Sequence, residues 1–217
     1  MLEILAESDD PLSIAELSDR LGVHRSIAYR ILRTLEDHGL VVRDAAGAIQ
    51  LGPRMAALAR GVSRDLQSAA LPELTLAANE LGMTAFVAVL DGPDVVTLVS
   101  VEPRHAHGTV AQRPGTRHPL SLGAPGIAIQ SVLSAAQWAS LGHDAAPRRE
   151  VDDVREVGFA HSHNEVIAGL SSIAVPLIIT GRAPGALAVV YVSSDHTPAD
   201  IGRRLVAAAT AIAVELR

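Results

Sequence analysis

The sequence predicts an α+β protein in which a small, mainly helical N-terminal part precedes a larger part built on an antiparallel sheet. Two observations indicate the small part: helix-capping motifs near the N-terminus, and two short apolar segments around a glycine turn after them. A third indicates the large part, where apolar β-branched runs come in pairs joined by turns. Helices lie outside these paired runs, which is typical of an α+β domain.

Capping residues predict the N-terminal helices. The motif SIAE at residues 13–16 is a capping box, in which the serine and glutamate side chains each accept a hydrogen bond from the other's backbone amide. This helix should cover residues 14–21 and end at Gly22. A second helix is expected from about residue 24 to 39, and the opening segment LEILAE predicts another helix before both.

The segment LVVRDAAGAIQLG follows these helices. It predicts strands at 40–42 and 49–51 around a turn that contains Gly47. Three helices followed by a two-stranded ribbon is the order of a winged helix-turn-helix. We therefore predict a winged helix-turn-helix domain over residues 1–52.

A helical stretch then leads to the larger part. Gly61 and Pro72 interrupt it, so residues 53–71 are predicted to be a helical linker that also serves dimerisation, and Pro72 is expected to begin a new helix. Residues 72–217 form the second predicted domain.

Paired apolar runs predict the sheet of this second domain. The run TAFVAVLDGPDVVTLVSVE predicts two strands and a turn, and TVAQRP is a candidate third strand. SSIAVPLII and GALAVVYV predict a hairpin around TGRAPG. Helices are expected over residues 124–142 and 148–157, and after the capping segment TPAD near the C-terminus.

Composition excludes several classes of protein. Cysteine is absent, so no disulfide framework, thiolate metal site or thiol nucleophile is possible. Apolar runs are far shorter than the roughly 20 residues that span a bilayer, and the acidic opening MLEILAESDD is not typical of a signal peptide. We expect a cytoplasmic protein without membrane contact. The net charge of −6 means that any nucleic-acid binding must rest on local charge.

Residues 23–37 have two faces when placed on the helical period of 3.6. The side predicted to be buried holds Val23, Ile27, Ala28, Ile31, Leu32 and Leu35. The side predicted to be exposed holds Arg25, Ser26, Tyr29, Arg30 and Arg33. The exposed side thus carries three guanidinium groups, a hydroxyl and a phenol.

Such a face is suited to the major groove of DNA. An α-helix fits that groove, and arginine can donate two parallel hydrogen bonds to guanine. A merely solvated face is the alternative, but the capped helix, the glycine turn and the ribbon around it favour contact with duplex DNA. The predicted DNA-contact residues are His24, Arg25, Ser26, Tyr29, Arg30, Arg33 and Arg43.

Two segments resemble one known family. LSIAELSDRLGVHRSIAYRILRTLEDHGLVVRD, with the later IQLG, resembles the DNA-binding domain of the IclR family of bacterial transcription regulators. VREVGFAHSHNEVIAGLSSIAVPL is similar to the signature of that family's effector-binding domain. One departure is Ile49, where the family has an aromatic residue. The two signatures occur in the expected order, and the match extends over nearly the whole chain.

The resemblance implies the architecture and the partners. The larger domain should be GAF-like and should bind a small organic effector. The protein should be a homodimer, or a dimer of dimers, that binds a pseudo-palindromic operator in double-stranded DNA and represses or activates transcription. No cofactor and no catalytic residue are expected.

The resemblance also places the effector between the sheet and the start of the helix that follows Pro-Leu in the segment RHPLSLGAPGIAIQ. Ala124 and Pro125 match positions whose backbone amides hold a carboxylate in small-acid sensors, and proline has no amide hydrogen. We therefore predict an aromatic or amphiphilic effector rather than a small keto acid; a pocket that binds nothing is the alternative. The predicted effector-binding residues are His107, Val110, His118, Ala124, Pro125, Ser162, Leu170, Ser172, Val190 and Val192.

Other functions fit the sequence less well. The pairs His105/His107 and His161/His163 have spacing that could ligate a metal, but exposed loop histidines are the commoner explanation. The segment GLSSI lacks the closing glycine of a nucleophile elbow, and no glycine-rich phosphate loop with lysine occurs. The remaining alternative is a small-molecule-binding or enzymatic scaffold whose N-terminal unit makes protein contacts.

Overall fold

The computed structural model describes residues 1–105, 110–142 and 146–217. The chain divides into two compact units, Met1–Arg64 and Asp65–Arg217. The smaller unit has one apolar core and the larger unit has two.

The smaller unit contains three helices, a two-stranded ribbon and one further short helix. In chain order these are α1 (Leu2–Ala6), α2 (Ile14–Leu21), α3 (Arg25–Asp37), β1 (Val41–Arg43), β2 (Ile49–Leu51) and α4 (Arg54–Ala59). β1 and β2 are antiparallel, and Leu12 adds a bridge to Ile49 through two backbone hydrogen bonds. This is the predicted winged helix-turn-helix.

The predicted caps of α2 are present. The Ser13 amide donates to Glu16 Oε2 at 2.8 Å, and the Glu16 amide donates to Ser13 Oγ at 3.2 Å. Gly22 ends the helix with φ of +64°, a conformation that a side chain would strain. The turn between α2 and α3 is therefore set by local sequence. The buried core of this unit is formed by Leu5, Leu12, Leu17, Leu32, Val41 and Ile49.

The expectation that Pro72 begins a helix is wrong. Helix α5 runs without a break over Arg64–Leu81, and Pro72 lies inside it on the exposed side. Proline removes one backbone hydrogen bond from a helix interior. The opposite side of α5 buries a continuous apolar stripe that includes Leu66 and Leu74, and this burial offsets the loss.

The larger unit is built on a six-stranded sheet. Its strands are β3 (Thr84–Asp91), β4 (Asp94–Val101), β5 (Arg117–Pro119), β6 (Ala160–His163), β7 (Ser171–Leu177) and β8 (Gly185–Tyr191). Their spatial order is β5-β4-β3-β8-β7-β6, and every neighbouring pair is antiparallel. The predicted α+β class is confirmed.

Helices cover both faces of this sheet. One face, which includes Val87 and Val189, packs on α5 and on α9 (Pro198–Glu215). The other face, which includes Phe86 and Val190, packs on α6 (Gly123–Gln130) and α8 (Glu150–Val157). The alternation of side chains along each strand separates the two apolar cores.

Some details differ from the sequence-based expectations. The helix expected over residues 124–142 is two helices, because Ser134 starts a new capping box at α7 (Ala135–Ser140). Residues 110–114 form no strand, and the strand beside β4 is β5 instead. The short edge strand β6 was not predicted.

Candidate functional site

Helix α3 is buried along a different line from the one predicted. Ala28 and Leu32 are fully buried, whereas Ile27 is 48% exposed and Ile31 is 40% exposed. The prediction that both isoleucines face the core is therefore wrong. The pair Ile27/Ile31 and the pair Ala28/Leu32 both have helical spacing, so periodicity alone does not decide which pair is buried. The packing of α3 on β1 and α2 buries the side that carries Ala28 and Leu32.

The outward side of α3 is polar and cationic around Ile27. Arg25, Ser26, Arg30 and Arg33 are exposed. Each of these side chains can therefore meet a partner that approaches the helix from solvent.

His24 caps the start of α3. Its Nδ1 accepts a hydrogen bond from the Ser26 amide at 3.3 Å and lies 2.8 Å from Ser26 Oγ. This contact satisfies one of the free amide groups of the first helical turn. His24 is thus a structural residue of the helix start as well as a predicted contact.

Arg43 is held within the unit. Its Nε donates to Glu36 Oε1 at 2.5 Å, and its guanidinium lies 5.5 Å from the ring centre of Tyr29. The hydrogen bond from Arg43 to Glu36 raises the pKa of the guanidinium. Arg43 therefore connects the ribbon to α3, and its charge is partly balanced by Glu36.

The larger unit has a cavity between the sheet and α6. Its volume is about 420 Å³, including the open mouth. The lining residues come from β3, β5–β8, the connection before β5, the start of α6 and the β6–β7 turn: Phe86, Gln112, His118, Gly123, Pro125, Ser162, Glu165, Val166, Ile167, Leu170, Ser171, Ser172 and Val190.

Six of the predicted effector-binding residues lie around this cavity: His118, Pro125, Ser162, Leu170, Ser172 and Val190. Strand register explains part of this grouping, because Ser162, Ser172 and Val190 are paired across β6, β7 and β8.

Three further predicted effector-binding residues, Val110, Ala124 and Val192, are not among the lining residues. Ala124 is buried behind the lining, and Val110 packs on the α6 side of the core. Val192 lies beyond the end of β8, is 62% exposed and does not line the cavity, because the strand ends one residue earlier. His107 lies outside the described residues.

Two contacts with the Leu120 carbonyl position α6 against the cavity. Gln130 Nε2 donates to the Leu120 carbonyl at 2.7 Å. Gly126 allows the helix to approach the same carbonyl, since a Cβ atom there would lie 2.3 Å from the Leu120 oxygen. The start of α6 is thereby fixed at the wall of the cavity.

The first backbone amides of α6 already have partners. The Gly123 amide donates to Glu165 Oε2 at 2.9 Å, and the Ala124 amide donates to Ser162 Oγ at 2.9 Å. Pro125 has no amide hydrogen. A carboxylate of the protein itself thus occupies the helix start, where an anion is favoured.

Glu165 is held by a cation as well. Arg148 donates to both of its carboxylate oxygens and also pairs with Glu150. Burial acts to raise the pKa of Glu165, but the hydrogen bonds from Arg148 and Gly123 outweigh it, so the pKa is lowered. Glu165 is therefore ionised at neutral pH. The role of Glu165 as the acceptor at the start of α6 was not predicted, because it depends on contact with Gly123, 42 residues earlier in the chain.

His118 is a neutral hydrogen-bonding group at the cavity wall. Burial lowers its pKa, against an opposing effect of the Pro119 carbonyl. That carbonyl, 3.1 Å from Nδ1, can only accept, so Nδ1 carries the proton. Nε2 is then a hydrogen-bond acceptor.

Four further residues that line the cavity were not predicted from the sequence: Phe86, Gln112, Val166 and Ile167. The alternation of β3 could have found Phe86, because it shares a sheet face with Ala88 and Val190. The other three lie in turns and connections, where no periodic pattern applies.

Metal binding and membrane spanning find no support in the described parts of the chain. Within residues 1–105, 110–142 and 146–217, no three histidine or acidic side chains are grouped so that they could hold a metal ion. His161 and His163 lie on the exposed side of β6, and His163 Nδ1 is 2.9 Å from Ser171 Oγ. None of the helices described there is long and apolar enough to cross a bilayer.

A winged helix-turn-helix with an outward cationic helix, joined in one chain to a sheet domain with a cavity, defines a DNA-binding regulator. Comparison with known proteins agrees with this class. Residues 1–45 match the model of the IclR helix-turn-helix domain. The chain is 32% identical over 193 residues to the HTH-type transcriptional regulator Rv1719 of Mycobacterium tuberculosis, which covers 82% of this chain and 73% of that protein. The chain belongs to the IclR family of transcriptional regulators.

Solved structures show the same fold. An IclR transcriptional regulator from Alicyclobacillus acidocaldarius superposes with a TM-score of 0.81 at 25% identity, covering 94% of this chain and 90% of the other. An IclR homologue from Microbacterium hydrocarbonoxydans, complexed with 4-hydroxybenzoate, gives a TM-score of 0.83 at 21% identity, covering 100% of this chain and 95% of the other.

Proposed function

We propose that this regulator binds a pseudo-palindromic operator in duplex DNA as a homodimer in the cytoplasm, and that a small organic effector changes its affinity. The observation that supports the DNA-binding part is the outward side of α3, where Arg25, Arg30 and Arg33 are exposed along the helix. His24, Ser26, Tyr29 and Arg43 complete the proposed contact surface. The N-terminal residues of such a helix contact base edges, and the arginines also neutralise phosphates.

A triple variant tests the DNA-contact surface. Arg25→Ala/Arg30→Ala/Arg33→Ala should lose operator binding while the protein still folds and dimerises. Binding to the gene's own upstream region would be measured against salt concentration. Each phosphate that the variant no longer neutralises should reduce the slope of log K against log salt by about 1.

The matched control removes three exposed arginines from the larger unit, Arg149→Ala/Arg203→Ala/Arg217→Ala. This control should bind DNA nearly as the parent does. Unchanged binding by the α3 variant would refute the surface, and binding to another protein instead of DNA would favour the scaffold alternative.

The effector is proposed to be aromatic or amphiphilic and without a dominant carboxylate. The amides of Gly123 and Ala124 are occupied by Glu165 and Ser162, so a ligand anion would lack donors there and would meet the ionised Glu165. A buried, unpaired carboxylate costs several kcal/mol.

The cavity wall suits a ring that carries a hydroxyl group. Phe86, Leu170 and Val190 offer apolar contacts, and Nε2 of His118 can accept a hydrogen bond. The homologue that is complexed with 4-hydroxybenzoate supports an aromatic ligand.

A neutral ester and the corresponding carboxylate, used as probe ligands, test this effector class. Methyl 4-hydroxybenzoate should raise the melting temperature and bind in calorimetry more tightly than 4-hydroxybenzoate, because the ester is neutral. A neutral ligand at a hundred times its Kd would stabilise the fold by about 2.7 kcal/mol. Leu170→Trp, which fills the cavity, is the control and should abolish the effect. Tight binding of glyoxylate or pyruvate would overturn the proposal.

A further inference from the structure

Ile27 is an apolar side chain on the cationic side of α3. It is the third residue of the helix and is 48% exposed, next to fully buried Ala28. Its neighbours on the outward side, Ser26 and Arg30, are exposed and polar. The smaller unit thus leaves about half of the Ile27 side chain exposed near the start of α3, outside the buried core.

The first turn of a recognition helix is where side chains meet base edges. Arg25, Arg30 and Arg33, which are exposed on the same helix, would hold it against the negatively charged duplex. In the major groove the apolar group that a base pair presents is the 5-methyl of thymine, and apolar side chains contact it. A second protein would be a poorer partner, because three guanidinium groups would also have to be desolvated or paired.

We propose that Ile27 specifies a thymine in each operator half-site by packing against its 5-methyl group. This inference rests on the proposed DNA-binding function and adds a base-specific contact to it. Burying one methyl group against Ile27 should change the operator affinity about fourfold for each half-site.

In vitro selection from random duplexes with the full chain would first give the preferred half-site. Each thymine of that half-site is then replaced in turn by deoxyuridine, which keeps the base pairing and removes only the methyl group. One position should weaken binding about fourfold for the parent protein. Ile27→Ser should bind the thymine and deoxyuridine duplexes equally at that position.

Ile31→Ser is the matched control, since it makes the same change at the other exposed isoleucine, one turn further along α3. It should keep the methyl dependence. If the selected half-site has no methyl-sensitive thymine, or if Ile27→Ser keeps the sensitivity, the inference is wrong. If no sequence is enriched at all, the DNA-binding proposal itself fails.

Discussion

At the scale of single residues, the most informative side chain is Glu165. It gives one carboxylate oxygen to the Gly123 amide and pairs with Arg148, so the protein supplies its own anion to the start of α6. The sequence predicts weak anion binding because Pro125 lacks an amide hydrogen. The structure adds that the two preceding amides already donate to Glu165 and Ser162. Both observations disfavour an effector that is held through a carboxylate at the start of α6.

The ion pair of Glu165 predicts a pH-dependent stability. Its folded-state pKa is lowered, so its contribution is present above the unfolded pKa of about 4.3 and is lost as pH falls through the folded value. Glu165→Gln should reduce the stability of the larger unit at pH 7 by about 1 kcal/mol, and the difference should shrink below about pH 4. Thermal unfolding over pH 3–8 measures this.

The control for that experiment is Glu156→Gln, which removes an exposed carboxylate from α8 of the same unit. A stability difference between parent and Glu165→Gln that stays constant down to pH 3 would contradict the role given to the ion pair.

At the scale of elements, two glycines allow helices to approach neighbouring segments of the chain closely. Gly202 of α9 is buried, and a Cβ atom there would lie 2.4 Å from Cδ1 of Phe159. Gly126 plays the corresponding part for α6, where the neighbour is the Leu120 carbonyl. The aromatic ring can move more readily than the backbone carbonyl, so the two glycines should differ in tolerance.

Gly202→Ala should therefore destabilise the larger unit by about 1–3 kcal/mol through overpacking against Phe159. In a Phe159→Leu background the same substitution should cost much less, because the clashing ring is gone. A double-mutant cycle in urea, followed by circular dichroism, measures the coupling. Equal costs in both backgrounds would show that the strain of Gly202→Ala does not arise from Phe159.

At the scale of the whole molecule, charge is distributed unevenly. The net charge is −6, and even the smaller unit holds eight arginines against nine acidic residues. Most of those acidic residues precede α3 in the chain, whereas arginines dominate its outward side. DNA binding by an acidic protein thus depends on the local position of its arginines. It should weaken as salt is raised and when any one arginine is removed from α3.

A dimer with two such helices predicts a spaced footprint. Light scattering should give a mass of two or four times 22.6 kDa, and hydroxyl-radical footprinting should show two protected segments one helical turn, about 10 bp, or a multiple of that apart. Exposed Leu58 on α4 and Leu71 on α5 offer apolar contacts for pairing. A monomer in solution with a single protected segment would contradict this arrangement.

The amino-acid sequence by itself determined the class of fold, the boundaries of α2 and the family. Capping boxes, glycine turns and strand alternation act over a few residues, so they can be recognised without knowing the rest of the fold. Several cavity positions, such as Ser162 and Ser172, also followed from the sequence through the family resemblance.

Only the tertiary structure decided that Ile27 is exposed, that α5 continues through Pro72 and that Glu165 occupies the start of α6. Each of these depends on contacts between residues far apart in the chain. Periodicity states that a helix has an apolar side, but the packing of neighbouring elements decides which of two competing sides is buried.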